Sequence, residues 1–268
     1  MSNDDSGLVA ENLVVRYGGH VAVNGMTLAA PRGRITGLIG PNGAGKTTTF
    51  NACSGLLRPT SGRVRLFGQD ITGWSPQHRA RAGLGRTFQR MELFDSLPVS
   101  QNVALGRECR LAGAQPWRHL RGSRTDARTL SRLTGRALER CGIAHLAARR
   151  PADLSTGQRR LVELARCVAG GYDLMLLDEP SSGLDKAETE RFGAILQSLV
   201  AEEGVGILIV EHDMALVARV CDYLHVLDFG EPIFEGTPAQ TLASPIVRAA
   251  YLGSEAVEAA VPEEAARA

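Results

Sequence analysis

Lysine is almost missing from this chain: of its 30 basic residues only Lys46 and Lys186 are lysine, and all the others are arginine. Aromatic residues are also scarce, at 5%. The five cysteines, Cys53, Cys109, Cys141, Cys167 and Cys221, stand far apart and form no C-x-x-C pair. That excludes a zinc-ribbon spacing and a disulfide framework, and points to a reducing, cytoplasmic compartment. Long apolar runs are absent too. The strongest, "VGILIV" at Val205–Val210, is far below the ~20 residues of a membrane-spanning helix. The opening "MSNDDSG" lacks the basic-then-apolar pattern of a secretion signal, so a membrane role is expected to come through a partner. A net charge of +1 supplies no attraction to nucleic acid, and no such partner is expected.

What is present is an alternation of short apolar runs with helical patterns, the mark of an α/β protein on a largely parallel sheet. "LVAENLVVRY" and "HVAVNGMTLAA" read as early strands around a Gly18-Gly19 turn. "RITGLIG" reads as a buried strand followed by a helix over Lys46–Leu57, and "GRVRLFG" as another strand. From about Ser100 to Arg150 the pattern is helical. "DLMLLDEP" and "GVGILIVEH" are strands separated by a helix over Ala187–Glu202, and "YLHVLDFGEPIFEG" is a closing hairpin. The stretch 107–150 carries 11 arginines and reads as a solvated helical face in an arginine-biased chain, or else a contact with an acidic surface. The tail from 254 to 268, small and acidic, is expected to be mobile.

The segment Gly40-Pro41-Asn42-Gly43-Ala44-Gly45-Lys46-Thr47, followed by Thr48, fits G-x-x-x-x-G-K-[ST] between a strand and a helix. Its glycines let successive backbone N–H groups converge on phosphate oxygens, and the helix adds its positive end. Lys46 is the exception to the arginine rule because a compact ammonium fits inside the curl, whereas a planar guanidinium needs a fork-shaped acceptor. Thr47 offers a hydroxyl to Mg²⁺. A nucleotide is the expected ligand. At the end of an apolar strand, Asp178 suits a Mg²⁺ ligand and Glu179 a base acting on water. Without the phosphate loop the same pair would read as an ordinary turn or helix cap.

"LSTGQRRLVELARCVA" contains a capping box, Ser155 with Gln158, opening an amphipathic helix. It also resembles the LSGGQ signature of ATP-binding cassette (ABC) proteins, placed before "LMLLDEP" as in that family. Thr156 stands where glycine is usual; at a first helical position a side chain is tolerable. The resemblance spans about 8–253. It implies that Tyr17 stacks on adenine, that Gln89 in "GRTFQ" sits near Mg²⁺ and the lytic water, and that Asp185 belongs to the loop "SSGLD". It implies that His212 in "VEHDM" contacts the γ-phosphate, and that Ser155, Thr156, Gly157 and Gln158 close over ATP held by a facing subunit.

The implied fold is a P-loop NTPase core of the ABC type, with an antiparallel β subdomain and a helical subdomain inserted at about 90–170. The implied partners are integral membrane permeases, a paralogous or identical ATPase in a head-to-tail dimer and, indirectly, a solute-binding protein. They would hold the chain on the inner face of the plasma membrane. "ITGWSPQHRARAGLGRTFQRMELFDSLPVSQNV" and "VLDFGEPIFEGTPAQTLASPIVRAAYLG" are similar to ATPases of branched-chain amino acid importers. Urea importers and lipopolysaccharide exporters share the second pattern, though the exporter type usually lacks a stretch like 107–127. A small-molecule P-loop kinase has no use for "LSTGQ", and a chromosome-type ATPase would carry long heptads. Within "MELFDSL", Phe94 either lines a groove for a permease helix or packs inside the helical subdomain.

Overall fold

The structure, a computed structural model, describes residues 7–87, 93–112 and 124–258. Its main sheet has six strands in the order β10-β9-β3-β8-β7-β6. These are β3 (Ile35–Ile39), β6 (Leu84–Arg86), β7 (Leu174–Asp178), β8 (Gly206–Val210), β9 (Tyr223–Asp228) and β10 (Glu231–Gly236). All neighbours run parallel except the pair β9–β10. The expected closing hairpin is therefore the edge of the main sheet, with β9 paired to β3 on its other side. A second sheet, entirely antiparallel, has the order β2-β1-β4-β5, built from β1 (Gly7–Tyr17), β2 (His20–Pro31), β4 (Ser61–Leu66) and β5 (Gln69–Asp70).

Successive side chains of a strand face opposite ways, and the central strands are apolar on both faces. Ile207, Ile209, Met175, Leu177, Ile35 and Ile39 enter one core, which also takes in Leu161, Leu164, Phe192 and Leu196. Leu208, Val210, Leu174, Leu176 and Leu38 enter the other, shared with Leu8, Leu13, Met26, Val64 and Phe50. The main sheet is thus a middle layer between helices and the antiparallel sheet. Each of these buried side chains contributes roughly 1.5–3 kcal/mol, enough to make the strand ends a rigid frame.

Helix α1 (Lys46–Ser54) stops earlier than the expected Leu57, because Gly55 turns left-handed at φ 83°. Leu56 remains half exposed at 53%. The buried Arg79, on α2 (Pro76–Arg81), clamps that end by donating to the carbonyls of Ala52 at 2.8 Å and Cys53 at 2.7 Å. The helical subdomain comprises α3 (Val99–Ala112), α4 (Arg124–Arg140) and α5 (Thr156–Gly170), and α3 and α4 both pack on α5. On α4 the expected arginine face is partly paired, since Arg136 and Arg140 bridge to Glu203 and Glu202 of α6 (Lys186–Glu203). Then come α7 (Met214–Val220), α8 (Pro238–Ala243) and α9 (Pro245–Glu258). Helix α9 runs through the first residues of the expected tail, and 259–268 lie outside the described residues. Among the described residues, no helix is long and apolar enough to cross a membrane.

Candidate nucleotide and catalytic site

Strand β3 delivers the chain to Gly40 at the carboxyl edge of the main sheet, where ligands of open α/β sheets bind. Two glycines there have no substitute. Gly40 has φ 149°, and a Cβ would stand 2.0 Å from the Leu227 carbonyl oxygen; Gly45 has φ 98°, and a Cβ would meet the Ala22 oxygen at 2.6 Å. The loop thereby curls tightly into the start of α1. Lys46 is buried at 6% exposure, and its Nζ donates to the carbonyls of Gly40 and Pro41, both at 2.7 Å. Burial pulls its pKa down, while Glu179 and Asp178 push it back up. A buried ammonium at the mouth of such a loop suits an anionic ligand.

A cavity of about 210 Å³ opens on this loop, lined by His20, Ala22, residues Asn42 to Thr48, Glu179 and His212. The phosphate loop, the expected base and the expected switch histidine therefore share one space. Glu179 follows directly on β7 with a left-handed φ of 45°, a strained state for a non-glycine residue. Its N–H is held by the Val210 carbonyl at 2.9 Å, and its Oε1 lies 2.9 Å from Nε2 of His212. Asp178, the last residue of β7 and the neighbour of Glu179, is buried at 2% exposure. Burial raises its pKa, and the Arg86 guanidinium, 3.6 Å away, opposes that. Its Oδ1 is buried without a hydrogen-bond partner, the state of a carboxylate oxygen left for a cation or its water.

The other expected residues lie elsewhere. Tyr17 ends β1 with its side chain half exposed, opposite His20 of the cavity wall. Gln89 lies outside the described residues. Ser155 and Gln158 form the expected capping box, with Thr156 as the first residue of α5. Asp185 caps α6 in a box with Glu188. Neither helix start borders the cavity of its own chain. They do touch each other: a Cβ on Gly157 would meet Glu188 at 2.3 Å, and one on Gly183 would meet the Thr156 methyl at 3.2 Å.

Sequence reasoning passed over Glu211 and Arg86. Glu211 is buried at 2% exposure beside His212. Arg86 joins Asp178 to Asn51 and Ser54 of α1 and lies over the Phe50 ring. A buried-looking "VEH" was the available signal for the first; β6 is too short to give one for the second.

Comparison with known proteins identifies the family. The family described as ABC transporter matches residues 23–182. The branched-chain amino acid transport ATP-binding protein BraF of Pseudomonas aeruginosa is 37% identical over 251 residues, covering 92% of this chain and 97% of BraF. LivG of Escherichia coli K12, with the same kind of name, is 37% identical over 249 residues, covering 92% and 97%. Among solved structures, the ADP conformation of MJ1267, an ATP-binding cassette of an ABC transporter, superposes with a TM-score of 0.81. It is 30% identical, with 92% of this chain and 98% of that one covered. The chain belongs to the ABC transporter family, and its fold is that family's ATP-binding cassette.

Proposed function

We propose that this chain is the ATP-hydrolysing subunit of a branched-chain amino acid importer. The observation that carries the hydrolytic part is the meeting of Lys46, Glu179 and His212 around one cavity at the sheet edge. Backbone N–H groups of the loop and the N-terminal end of α1 hold the phosphates. Lys46 exchanges its two carbonyl contacts for phosphate oxygens. Glu179 orients and deprotonates the attacking water, and His212 holds both Glu179 and the γ-phosphate. Tyr17 offers its exposed ring to adenine. Asp178, with its free Oδ1, and Thr47 of the cavity wall are the residues to hold Mg²⁺, with Gln89 expected beside them. Magnesium bound there would supply neutralisation of the phosphate charge. One or two protein ligands suffice for an ion that otherwise takes waters and phosphates.

Ser155, Thr156, Gly157 and Gln158 stand away from the chain's own cavity and present a helix N-terminus, which suits the γ-phosphate of a facing subunit in a head-to-tail dimer. A second cavity of about 530 Å³ lies between β6, α3 and α5, lined by Arg86, Leu93, Phe94, Leu105, Arg166 and Tyr172 among others. It is the seat for a cytoplasmic helix of a permease, which would hold the chain at the membrane. The amino acid cargo rests on identity to BraF and LivG along almost the whole chain. Proteoliposomes carrying this chain with branched-chain amino acid permeases and a solute-binding protein provide the test. ATP-driven uptake of labelled leucine, isoleucine or valine is expected; uptake of urea with none of these would refute the cargo.

A further inference from the structure

Glu211 is a buried carboxylate that the hydrolytic scheme does not use. Among the described residues it forms no salt bridge with a basic side chain. Its charge is met instead by backbone N–H groups. Oε1 accepts from the Ser181 N–H at 2.8 Å and Oε2 from the His212 N–H at 3.1 Å. The Asp213 N–H and the Ser181 hydroxyl complete the shell. A carboxylate is the side chain that can take so many donors at once, and charge-assisted bonds of this kind are roughly twice as strong as neutral ones.

The two segments so joined carry the reacting groups. Ser181 is two residues beyond Glu179, in the turn where Ser182 N–H donates to the Glu179 carbonyl at 3.1 Å. Its own carbonyl accepts from Leu184 N–H at 3.0 Å, just before Asp185 caps α6. On the other side, His212 reaches back to Glu179. Glu179, Ser181, Glu211 and His212 thus form a closed ring of contacts, and Glu211 is the member that ties the turn to the switch.

We propose that Glu211 is a positioning residue for ATP hydrolysis, holding His212 and Glu179 in register with the Ser181–Asp185 turn. Displacement of that turn is then felt directly at the His212 ring. The inference rests on the ATP-hydrolysing reading of the site and deepens it.

Glu211→Gln keeps the volume but turns an NH₂ toward the N–H donors. In the full chain its kcat is expected to fall ~10- to 100-fold, the scale of a slight misplacement of reacting groups. KM for ATP should stay within about twofold, since the loop N–H groups and Lys46, which carry most of the phosphate binding, are left in place. The second measurement needs no turnover. In protein labelled with ring-¹³C histidine, the His212 signal, assigned by its loss in His212→Ala, should move in Glu211→Gln. It should also move in Ser181→Ala, while the signals of His78 and His145 stay in place. Ser181→Ala removes one hydroxyl and keeps the fold even if the glutamine variant does not. A His212 signal unmoved in Ser181→Ala, or a kcat for Glu211→Gln within about twofold of the unsubstituted chain, would overturn the proposal. If the unsubstituted chain itself fails to hydrolyse ATP, the reading of the site falls, and the His212 signal still decides the role of Glu211.

Discussion

Nε2 of His212 and Oε1 of Glu179 lie 2.9 Å apart, bridging the ends of the adjacent parallel strands β7 and β8. The pair is not a stability device. With side-chain exposures of 40% and 21%, a contact of this kind is worth little net free energy. Its value is positional: a carboxylate on a left-handed backbone, held at its N–H by Val210, has its Oε1 met by a ring that follows the next strand. An arrangement that spends backbone strain to aim one oxygen is expected where that oxygen acts.

Glu179→Gln keeps the shape and loses the base. Its kcat is expected to fall ~10²–10⁴-fold, the usual contribution of general base catalysis, with ATP affinity retained. Closed, ATP-bound dimers should then accumulate. The chain matches BraF and LivG over 92% of its own length, and we propose a paralogue rather than an identical copy as the facing subunit. The purified variant with ATP and Mg²⁺ should remain largely monomeric in light scattering and form a stable species when a partner with the matching substitution is added. A strong ATP-dependent homodimer would refute the paralogue and favour a pairing of identical cassettes.

Lys46→Arg retains charge, yet turnover is expected to drop roughly 10²-fold, the cost of removing one preorganised donor from a transition state. The Nζ position is fixed at 2.7 Å from two loop carbonyls in a buried space that a planar guanidinium cannot enter without opening the loop. Steady-state hydrolysis near that of the unsubstituted protein would remove the explanation for the retained lysine.

The phosphate loop was legible because its chemistry is local: eight consecutive positions between a strand and a helix. The capping boxes at Ser155 and Asp185 are local as well, and the first was read from its spacing. What escaped depends on long-range pairing. Nothing in the periodicity of β1 or β4 says that Leu8 pairs with Leu66; the separate antiparallel sheet was implied by the family resemblance alone. Strand β6, Leu84–Arg86, is too short for any alternation to show, so Arg86 and its bridge to Asp178 stayed hidden. The end of α1 was misjudged because Leu56 and Leu57 continue an apolar pattern, although Gly55 is the stop signal. Glu211 stands beside His212 in "VEHDM", but its bond to Ser181, 30 residues earlier, is long-range.

His225 supplies a pH dependence with a definite sign. It is buried on β9, its Nε2 accepts from the Ala29 N–H at 3.4 Å, and its Nδ1 faces Glu235 at 3.2 Å. Burial lowers its pKa, and Glu235 opposes this without reversing it. The unfolded chain therefore takes up a proton near the usual histidine value of about 6.5 before the folded protein does. Stability present above that pH is lost as pH falls through it, until the folded pKa is reached. Asp178 and Glu211, whose pKa values are raised by burial, act in the opposite sense, so the comparison must be with a variant. Thermal melts of His225→Gln between pH 7.5 and 5.5 are expected to fall less steeply than those of the unsubstituted chain. Parallel curves would assign the acid sensitivity to other groups.

The sequence left Phe94 two roles, interior packing or the wall of a docking groove, and its 55% exposure excludes the first. The ring is presented on purpose-built support. The buried Asn102 accepts from the Phe94 N–H at 2.8 Å and donates to its carbonyl at 3.0 Å, while Leu93 beside it packs on the core. Removing the ring therefore leaves the backbone anchored, and Phe94→Ala is expected to change stability by no more than about 0.5 kcal/mol. ATP binding should be unaffected, because the ring lines the larger cavity and not the one at Lys46. Transport in reconstituted vesicles should drop severalfold or more, since truncating an aromatic anchor in a docking pocket typically costs ~2 kcal/mol or more of binding. Asn102→Ala is the informative contrast: it leaves buried polar groups unmet and should lower the melting point through a loss of ~1–3 kcal/mol. Unchanged transport by Phe94→Ala, with its fold intact, would show that no permease helix rests on this ring.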